Sequence, residues 1–404
     1  MSRQHLADII FESGQTYADT IAMRAQVGGE WRPTTYRDMA DRVRRIARAL
    51  VAAGVQPDDR VAIFSDNRPE WALVDFAILA VGGISVPIYA TNTRQQAAYI
   101  IDETEAAIVF TGNQTTYDKT LVIADQSPGL RCIIAFDDET TLAGSKSQHF
   151  SRFLEQGADE SADGEIEARR LARGAADLAT IIYTSGTTGE PKGVMLTHGN
   201  LFHQFKALDG HFHVGPGDRS ICFLPLSHVY ERVWSFYIYQ CGATNYYLAN
   251  PKTIIAAMAE VQPTVMVSVP RLYEKIYATA MHGLSQGSGL KRKLFHWSID
   301  VGKRYQYTVT GGKAPGPALS AQHKVADKLV LNKVRAVVGG PKNFFSAGGA
   351  PLSKSIEEFF FAAGLLVCEG YGLTETSPMV TFNSPQAFRF GTVGKPIVGC
   401  EVRI

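Results

Sequence analysis

The sequence has few cysteines and no excess of charge of either sign. The five cysteines are odd in number, lie far apart and form no C-x-x-C motif, which argues against zinc sites and a disulfide framework; they are Cys132, Cys222, Cys241, Cys368 and Cys400. Lys and Arg total 40 against 39 Asp and Glu. This balance removes the broad positive field expected of a dedicated nucleic-acid binder, so we expect no nucleic-acid partner. From the cysteine spacing we expect free thiols in a reducing compartment.

The sequence also lacks an uninterrupted hydrophobic run. Residues 71–90 approach the length of a membrane span and carry only Asp75 as a charge, but Gly82, Gly83 and Pro87 interrupt them. We therefore expect a buried helix followed by a buried strand. The first residues contain charges and no apolar core of a secretion signal. Together these absences predict a cytoplasmic protein.

Apolar segments alternate between helical and strand patterns, which predicts an α/β fold. In residues 35–112, Thr35 and Asp38 form a capping box before an amphipathic helix that Gly54 ends, and "RVAIF" and "ISVPIY" have the composition of strands. Such alternation implies right-handed βαβ units and a parallel sheet covered on both faces. A polar stretch from residue 137 to 177 interrupts the pattern as a surface excursion or a boundary. Strands at "SICFLPL", "ATNYYLA", "TVMVSVP", "NFFSAGG" and "GLLVCEGYG" then predict a second parallel sheet, and residues 271–338 are mostly helical.

A phosphate-binding loop is predicted at "YTSGTTGEPKG". A strand leads into six hydroxyl or glycine residues whose backbone amides can surround phosphate oxygens; they are Thr184, Ser185, Gly186, Thr187, Thr188 and Gly189. Lys192 adds a positive charge, and Pro191 stiffens its approach. The Walker A spacing is absent, because Gly193 follows the lysine where that motif has Ser or Thr. A solvated loop is the alternative interpretation.

Several motifs in the same order resemble the adenylate-forming superfamily, which includes the acyl-CoA synthetases. "YTSGTTGEPKG" is similar to its phosphate loop, "FLPLSHVYE" to its acyl-site motif, "FFSAGGAPLS" to its adenine-side loop and "EGYGLTETSP" to its adenine and magnesium motif. "GTVGKPIVGCEV" resembles the stretch that closes the large domain. The resemblance implies the large N-terminal domain of the acyl-CoA synthetase (ANL) fold, with two parallel-type sheets between helices and the start of a small β subdomain.

The resemblance also implies a role for each matching residue. Residues 184–189 and Lys192 would hold the β and γ phosphates of ATP, and Glu375 and Thr184 would bind Mg²⁺. Gly348, Gly349 and Ala350 would line the adenine, Tyr371 would stack on it beside Gly372, and Thr374 would contact the α-phosphate. The acyl substrate would be lined by His228, Tyr230, Trp234, Gly348 and Gly372, and the catalytic set would be His228, Thr374 and Glu375. Simpler alternatives are a hydrogen-bonded structural histidine at His228, a packing aromatic at Tyr371 and a helix cap at Glu375.

The acyl group is predicted to be a long-chain fatty acid. Amino-acid adenylating enzymes place an Asp after the acyl motif, whereas "SHVYERVWSFYIY" has none, and its Glu231 and Arg232 could simply pair with each other. "VPRLYEKIY" and the helical segment after it resemble long-chain fatty acyl-CoA synthetases. The implied reaction forms acyl-AMP and then acyl-CoA, with ATP, Mg²⁺ and CoA. Two alternatives stay open, a fatty acyl-AMP ligase that feeds a carrier protein and a non-catalytic binding fragment.

The chain ends inside a predicted strand, so we expect a truncated protein. The expected organisation is a first α/β subdomain over residues 1–178, a second over residues 179–398 and the start of a β subdomain over residues 399–404. A C-terminal small domain, which carries a catalytic lysine in the family, would be absent, and adenylation would be impaired.

Two further motifs point to other functions. "GLSQG" matches the G-x-S-x-G nucleophile elbow, but no strand precedes it, so we reject a hydrolase. The basic cluster Lys291, Arg292 and Lys293, with Phe295 and Trp297 nearby, is either a solvated helix face or a surface for loose membrane contact.

Overall fold

The computed structural model describes residues 5–184, 190–340 and 342–403. The strands are β1 (Ile21–Val27), β2 (Glu30–Thr35), β3 (Arg60–Phe64), β4 (Ile84–Ile88), β5 (Ile108–Thr111), β6 (Cys132–Ala135), β7 (Ser147–His149), β8 (Leu178–Thr184), β9 (Lys192–Thr197), β10 (Arg219–Cys222), β11 (Thr244–Tyr247), β12 (Val265–Ser268), β13 (Phe344–Ala347), β14 (Val367–Gly372), β15 (Met379–Phe382) and β16 (Lys395–Pro396).

The α-helices are α1 (Asp8–Thr16), α2 (Tyr36–Ala52), α3 (Pro69–Ala80), α4 (Arg94–Glu103), α5 (Gln114–Ala124), α6 (Phe150–Glu155), α7 (Asp163–Leu171), α8 (His198–Asp209), α9 (Val229–Gln240), α10 (Ile254–Val261), α11 (Pro270–Ser285), α12 (Gly289–Thr310), α13 (Pro317–Ala326), α14 (Asn332–Val337) and α15 (Lys354–Ala362). A π-helical turn covers Asp327–Leu331, and 3₁₀ turns cover Glu160–Ala162, Pro251–Thr253 and Thr374–Thr376.

Packing divides the chain into two compact units. Unit 1 contains Met1–Lys206, Gly215–Gly217 and Cys222–Ala249, and unit 2 contains Ala207–Val214, Asp218–Ile221 and Asn250–Ile404. The subdomain boundaries at residues 178/179 and 398/399 stay predictions.

Unit 1 contains a seven-stranded sheet in the order β7-β6-β5-β3-β4-β8-β9. Its pairs are parallel except β8 with β9, which is antiparallel. The predicted helices between the first strands are present: the Thr35 and Asp38 capping box begins α2, and Pro69 is the first residue of α3. Apolar side chains of these helices and of the neighbouring strands are buried, so the alternating pattern predicted this sheet correctly.

Unit 1 contains helices and strands that the sequence patterns did not predict. The polar stretch from residue 137 to 177 contains β7, α6 and α7, and Phe153 anchors it in the core. A hairpin of β1 and β2 also went unpredicted, although Gly28 and Gly29, both with positive φ, lie at its turn. The strand predicted at "ATNYYLA" is β11, and it pairs in parallel with β1 in a further sheet. Its predicted place in the second parallel sheet was therefore wrong, and β10, which overlaps "SICFLPL", also lies outside that sheet.

Unit 2 contains the second parallel-type sheet, in the order β12-β13-β14-β15-β16. β12, β13 and β14 are parallel, and β15 and β16 add antiparallel strands at one edge. The α/β fold with two parallel-type sheets is therefore confirmed. Residues 271–338 are mostly helical, as expected, and "GLSQG" begins inside α11, so it forms no nucleophile elbow.

The long apolar stretch forms α3 and β4, whose side chains are almost all buried. Among the described residues, no helix combines the length and the apolar character that a membrane crossing needs.

Candidate functional site

The predicted phosphate loop is closed by a β-hairpin, which we call the phosphate hairpin (β8 and β9). Thr184, the last residue of β8, lies opposite Lys192, the first residue of β9. Lys192 is exposed, so its amine is available to an anion. Ser185, Gly186, Thr187, Thr188 and Gly189 lie outside the described residues. The hairpin therefore brings together a hydroxyl and a cation that the sequence assigned to phosphate binding.

Gly193 is required by packing across this hairpin. A Cβ there would lie 2.8 Å from Cγ2 of Ile181 and 3.1 Å from Cζ of Tyr183. The Tyr183 ring in turn contacts Tyr99 edge to face, with ring centroids 6.2 Å apart. The glycine after Lys192 thus lets β9 approach β8 closely, which explains why this motif has no Ser or Thr at that position.

His228 caps helix α9 and keeps a defined tautomer. Its Nδ1 accepts the backbone N–H of Tyr230 at 3.1 Å, so the proton of the neutral ring lies on Nε2. Loss of solvent around the ring lowers its pKa, although the residue keeps an exposed surface. Nδ1 therefore makes the structural hydrogen bond that the alternative interpretation expected, whereas Nε2 can still donate to an anion. Of the other predicted acyl-site residues on α9, Tyr230 is half-buried and Trp234 is buried.

Glu231 holds the loop before His228, residues 223–228, which we call the acyl loop. Its Oε2 accepts the backbone N–H of Leu224 at 3.1 Å. The side chain is fully buried, and this burial raises its pKa to about 8. Asn67 fixes the same loop: its Nδ2 donates to the carbonyl of Leu224 at 2.6 Å, and its Oδ1 accepts the N–H of Leu226 at 2.9 Å.

Arg232 does not pair with Glu231, so that interpretation was wrong. Its Nη2 and Nε donate to the two carboxylate oxygens of Asp75, at 2.6 and 2.8 Å. Its Nη1 donates to Oγ1 of Thr180 at 2.6 Å. Adjacent residues on a helix point in different directions, which is why one side chain reaches the acyl loop and the other reaches α3 and β8.

In unit 2, the predicted adenine loop follows β13. The buried Gly348 donates its N–H to the carbonyl of Ser268 at 3.1 Å, and Gly349 has a φ of +82°, which favours glycine. Ala350 is exposed. The buried Glu369 of β14 accepts the N–H of Leu352 at 3.0 Å, and burial raises the pKa of this carboxyl. The end of the loop is therefore tied to the neighbouring strand.

The predicted adenine and magnesium residues follow at the end of β14, beside the end of β13. Tyr371 is 49% exposed, so it is a poor core residue and its ring can take a flat ligand. At Gly372 a Cβ would lie 2.0 Å from the carbonyl oxygen of Pro378, which excludes any side chain. β13 and β14 are parallel neighbours, so these residues and the adenine loop lie at one edge of the sheet.

Glu375 is exposed and does not cap the turn in which it lies. Thr376 does so instead, because its Oγ1 accepts the N–H of Leu373 at 2.8 Å. Thr374 is 7% exposed at the start of the same turn. The described residues contain no group of three or more His, Cys, Asp or Glu side chains suited to a metal ion. A magnesium ion here would take most of its ligands from phosphate and water, as this ion commonly does.

The motifs described above belong to one sequence family. The profile of the AMP-binding enzyme family matches residues 10–404. The chain belongs to the AMP-binding enzyme family. This membership confirms the resemblance that the motifs indicated.

Named relatives of this AMP-binding chain are fatty-acid ligases. The long-chain-fatty-acid–CoA ligase FadD15 of Mycobacterium bovis is 36% identical over 402 residues, which cover 99% of this chain and 65% of that protein. The long-chain-fatty-acid–CoA ligase ACSBG2 of Xenopus laevis is 31% identical over 97% of this chain and 54% of its own length. The ATP-bound structure of MatB from Rhodopseudomonas palustris matches with a TM-score of 0.69 and 25% identity, covering 97% of this chain and 65% of MatB. This chain thus spans less than two thirds of the length of each.

Sequence reasoning about the AMP-binding chain missed the residues that hold the site loops in place. Asn67, Asp75 and Thr180 lie far along the chain from the loops that they support, and Glu369 is a single acid in an apolar strand. A buried glutamate in an otherwise apolar segment was the available signal, since such a residue is seldom buried without a partner.

Proposed function

We propose that this protein is a long-chain fatty acid–CoA ligase that forms AMP. The fatty-acid carboxylate attacks the α-phosphorus of ATP, the bond to pyrophosphate breaks, and acyl-AMP results. The thiol of CoA then attacks the acyl carbon, and AMP leaves. The observation that carries the proposal is the pairing of Thr184 with Lys192 in a chain that is 36% identical to a long-chain-fatty-acid–CoA ligase over 99% of its length.

The site residues keep the roles that the sequence suggested. Residues 184–189 and Lys192 would bind the β and γ phosphates, and Gly348, Gly349, Ala350, Tyr371, Gly372 and Thr374 would bind the adenosine and α-phosphate portion. Thr184 and Glu375 would each supply a hard oxygen ligand for Mg²⁺. The ion would neutralise phosphate charge. The hairpin supports this assignment, because Thr184 and the exposed Lys192 are partners across it, where β8 ends and β9 begins.

His228 orients the fatty-acid carboxylate. Because Nδ1 is used by the backbone of α9, the neutral ring presents an N–H at Nε2 to a carboxylate oxygen without taking its negative charge. The lowered pKa keeps the ring neutral near pH 7, so the carboxylate remains a nucleophile. Tyr230, Trp234, Gly348 and Gly372 are proposed to line the acyl substrate.

A chain-length series tests the acyl specificity. Each buried methylene contributes about 0.8 kcal/mol, or about fourfold in affinity. We expect dissociation constants for saturated fatty acids to fall by that factor per methylene up to a long chain, measured by calorimetry with this chain. Equal affinity for short and long acids would contradict a long-chain ligase. Full-length enzyme with ATP, offered CoA or a phosphopantetheinyl carrier, distinguishes the ligase from a fatty acyl-AMP ligase by which thiol becomes acylated.

We further propose a cytoplasmic protein that contacts membrane surfaces loosely through residues 289–337. This segment begins with the basic cluster Lys291, Arg292 and Lys293 and also carries Lys313, Lys324, Lys328 and Lys333. Its other basic residues, Lys303, Arg304 and Arg335, form ion pairs with Glu358, Asp300 and Asp327. Leu290 and Val325 are 77% and 50% exposed there. Such a surface attracts anionic lipid by about 1 kcal/mol per basic residue. Co-sedimentation with phosphatidylglycerol vesicles, but not with phosphatidylcholine vesicles, is expected at low salt, and equal sedimentation with both would contradict it.

A further inference from the structure

Arg232 is a charged residue enclosed by unit 1. Its side chain is 2% exposed and that of Asp75 is 1% exposed. Its guanidinium carbon lies 5.6 Å from the ring centroids of both Trp71 and Phe236. With two bonds to Asp75 and one to Thr180, the fork of the guanidinium is held in one orientation by α3 and β8.

Folding stability alone gives little reason for such a pair. Removing two charges from water costs several kcal/mol per ion, and replacing a buried pair by apolar residues of similar volume is often neutral or stabilising. The pair instead fixes the positions of neighbouring residues relative to each other, because each hydrogen bond of the planar guanidinium orients one neighbour. The question is therefore which elements it holds.

The two elements that meet at Arg232 each lead to a part of the proposed site. Arg232 lies in the first turn of α9, and its backbone N–H donates to the carbonyl of His228, the cap of that helix, at 3.2 Å. Thr180 lies four residues before Thr184 on β8, and its hydroxyl donates to the carbonyl of Ser85 at 2.7 Å while it accepts from Arg232. The guanidinium is thus a direct polar link between the helix capped by His228 and the strand that ends at Thr184.

We propose that Arg232, oriented by Asp75, is a positioning residue that fixes the phosphate hairpin relative to the acyl loop through Thr180. The inference rests on the proposed function, in which these two segments bind ATP and the fatty acid. Loss of the link lets β8 and α9 shift against each other and weakens both ligands together. A shift of about 1 Å is sufficient to impair a site whose reacting atoms must be aligned.

The main test replaces the pair by apolar residues, in the double variant Arg232→Met with Asp75→Leu. Binding of ATP with MgCl₂ is measured by calorimetry, and binding of cis-parinaric acid, a fluorescent long-chain fatty acid, by fluorescence. All measurements use the 404-residue chain well below its unfolding temperature. We expect both dissociation constants to rise about tenfold or more, while the midpoint of thermal unfolding stays close to that of the wild type.

A matched control is the pair Arg48 and Asp163, which also forms two bonds, at 2.6 and 2.7 Å, but joins α2 to α7. Arg48→Met with Asp163→Leu should leave both affinities unchanged. Thr180→Val removes the link to β8 alone and should weaken both ligands, whereas Thr180→Ser, which keeps the hydroxyl, should restore them. If the double variant does not fold, the two Thr180 variants decide by the same criterion.

The outcomes separate this inference from the proposed function. Wild-type affinity for both ligands in the double variant or in Thr180→Val overturns the positioning role and leaves the proposed function intact. Weakening of both ligands, without weakening in the Arg48 control, supports the role. A wild-type chain that binds neither ATP nor cis-parinaric acid overturns both.

Discussion

Replacement of Glu231 by Gln should change how the stability of unit 1 depends on pH. In the folded protein, burial raises the pKa of this carboxyl from 4.5 to about 8. Between these two values the folded state holds a proton that the unfolded state has released. The free energy of unfolding therefore falls as the pH rises through this window, by up to about 1.4 kcal/mol per pH unit. Over the whole window the loss approaches about 5 kcal/mol.

The Gln side chain removes this titration and keeps the contact. Its amide oxygen can still accept the N–H of Leu224, which Glu231 accepts at 3.1 Å. At pH 5 the wild type and the variant should differ by less than about 1 kcal/mol, because this pH lies only just above the pKa of 4.5 that the carboxyl has in the unfolded state. At pH 8 the variant should be more stable by several kcal/mol.

Urea unfolding followed by tryptophan fluorescence measures this difference at each pH from 5 to 8. Trp31, Trp71 and Trp234 lie in unit 1 with Glu231, and Trp297 lies in unit 2, so the signal reports chiefly on unit 1. The exposed Glu155→Gln variant controls for loss of a charge without loss of a buried carboxyl. A stability difference between wild type and Glu231→Gln that is constant from pH 5 to 8 would refute the reasoning.

Three further predictions concern the phosphate hairpin, the sheet edge that carries Gly372, and the buried histidines His5 and His198. Lys192→Ala should weaken ATP binding about tenfold with no change in the unfolding midpoint, because the side chain is exposed; equal calorimetric affinity would contradict its role. Gly372→Ala places a Cβ 2.0 Å from the carbonyl oxygen of Pro378, so the edge must shift and ATP affinity should fall at least about tenfold, whereas Gly210→Ala, with open space, should not alter it. Burial lowers the pKa of His5 to about 2 and that of the neighbouring His198, whose ring centroid is 4.1 Å away, to about 4. The unfolded state therefore binds more protons below pH 6.5, and stability falls on acidification. His5→Phe keeps a ring there and should reduce that fall by up to about 1.4 kcal/mol per pH unit, and an unchanged slope between pH 4.5 and 6.5 would count against it.

Signals within a few residues of each other predicted the local structure well. The Thr35 and Asp38 box, Pro69 at a helix start and the alternating apolar segments are all local, and α2, α3 and the strands around them follow from them. Strand partners are not local. β11 has the composition of any buried strand, and only the packing of the whole unit decides that it pairs with β1. β9 was missed because "KGVMLT" follows a loop motif and its outer side chains, such as Met195, are exposed.

The candidate site shows the same division. Motifs named the residues that would touch ligand, since those residues need particular chemistry at a particular spacing. The supports of the loops are single polar residues whose partners lie up to 159 positions away, as for Asn67 and Leu226. The error over Glu231 and Arg232 arose because adjacency in sequence was taken as adjacency in space, which a helix does not allow.

The phosphate hairpin implies a different electrostatic basis for binding than a loop that runs directly into a helix. In such loops, the aligned peptide dipoles of the following helix supply about half a positive charge at the phosphate. Here the chain returns along β9, and α8 begins only at His198, after the strand has ended. A strand contributes little net dipole, so under the proposed function most of the positive charge at the hairpin comes from the exposed amine of Lys192 and from a dissolved cation. Nucleotide affinity in this protein should therefore respond strongly to the ionic composition of the solution.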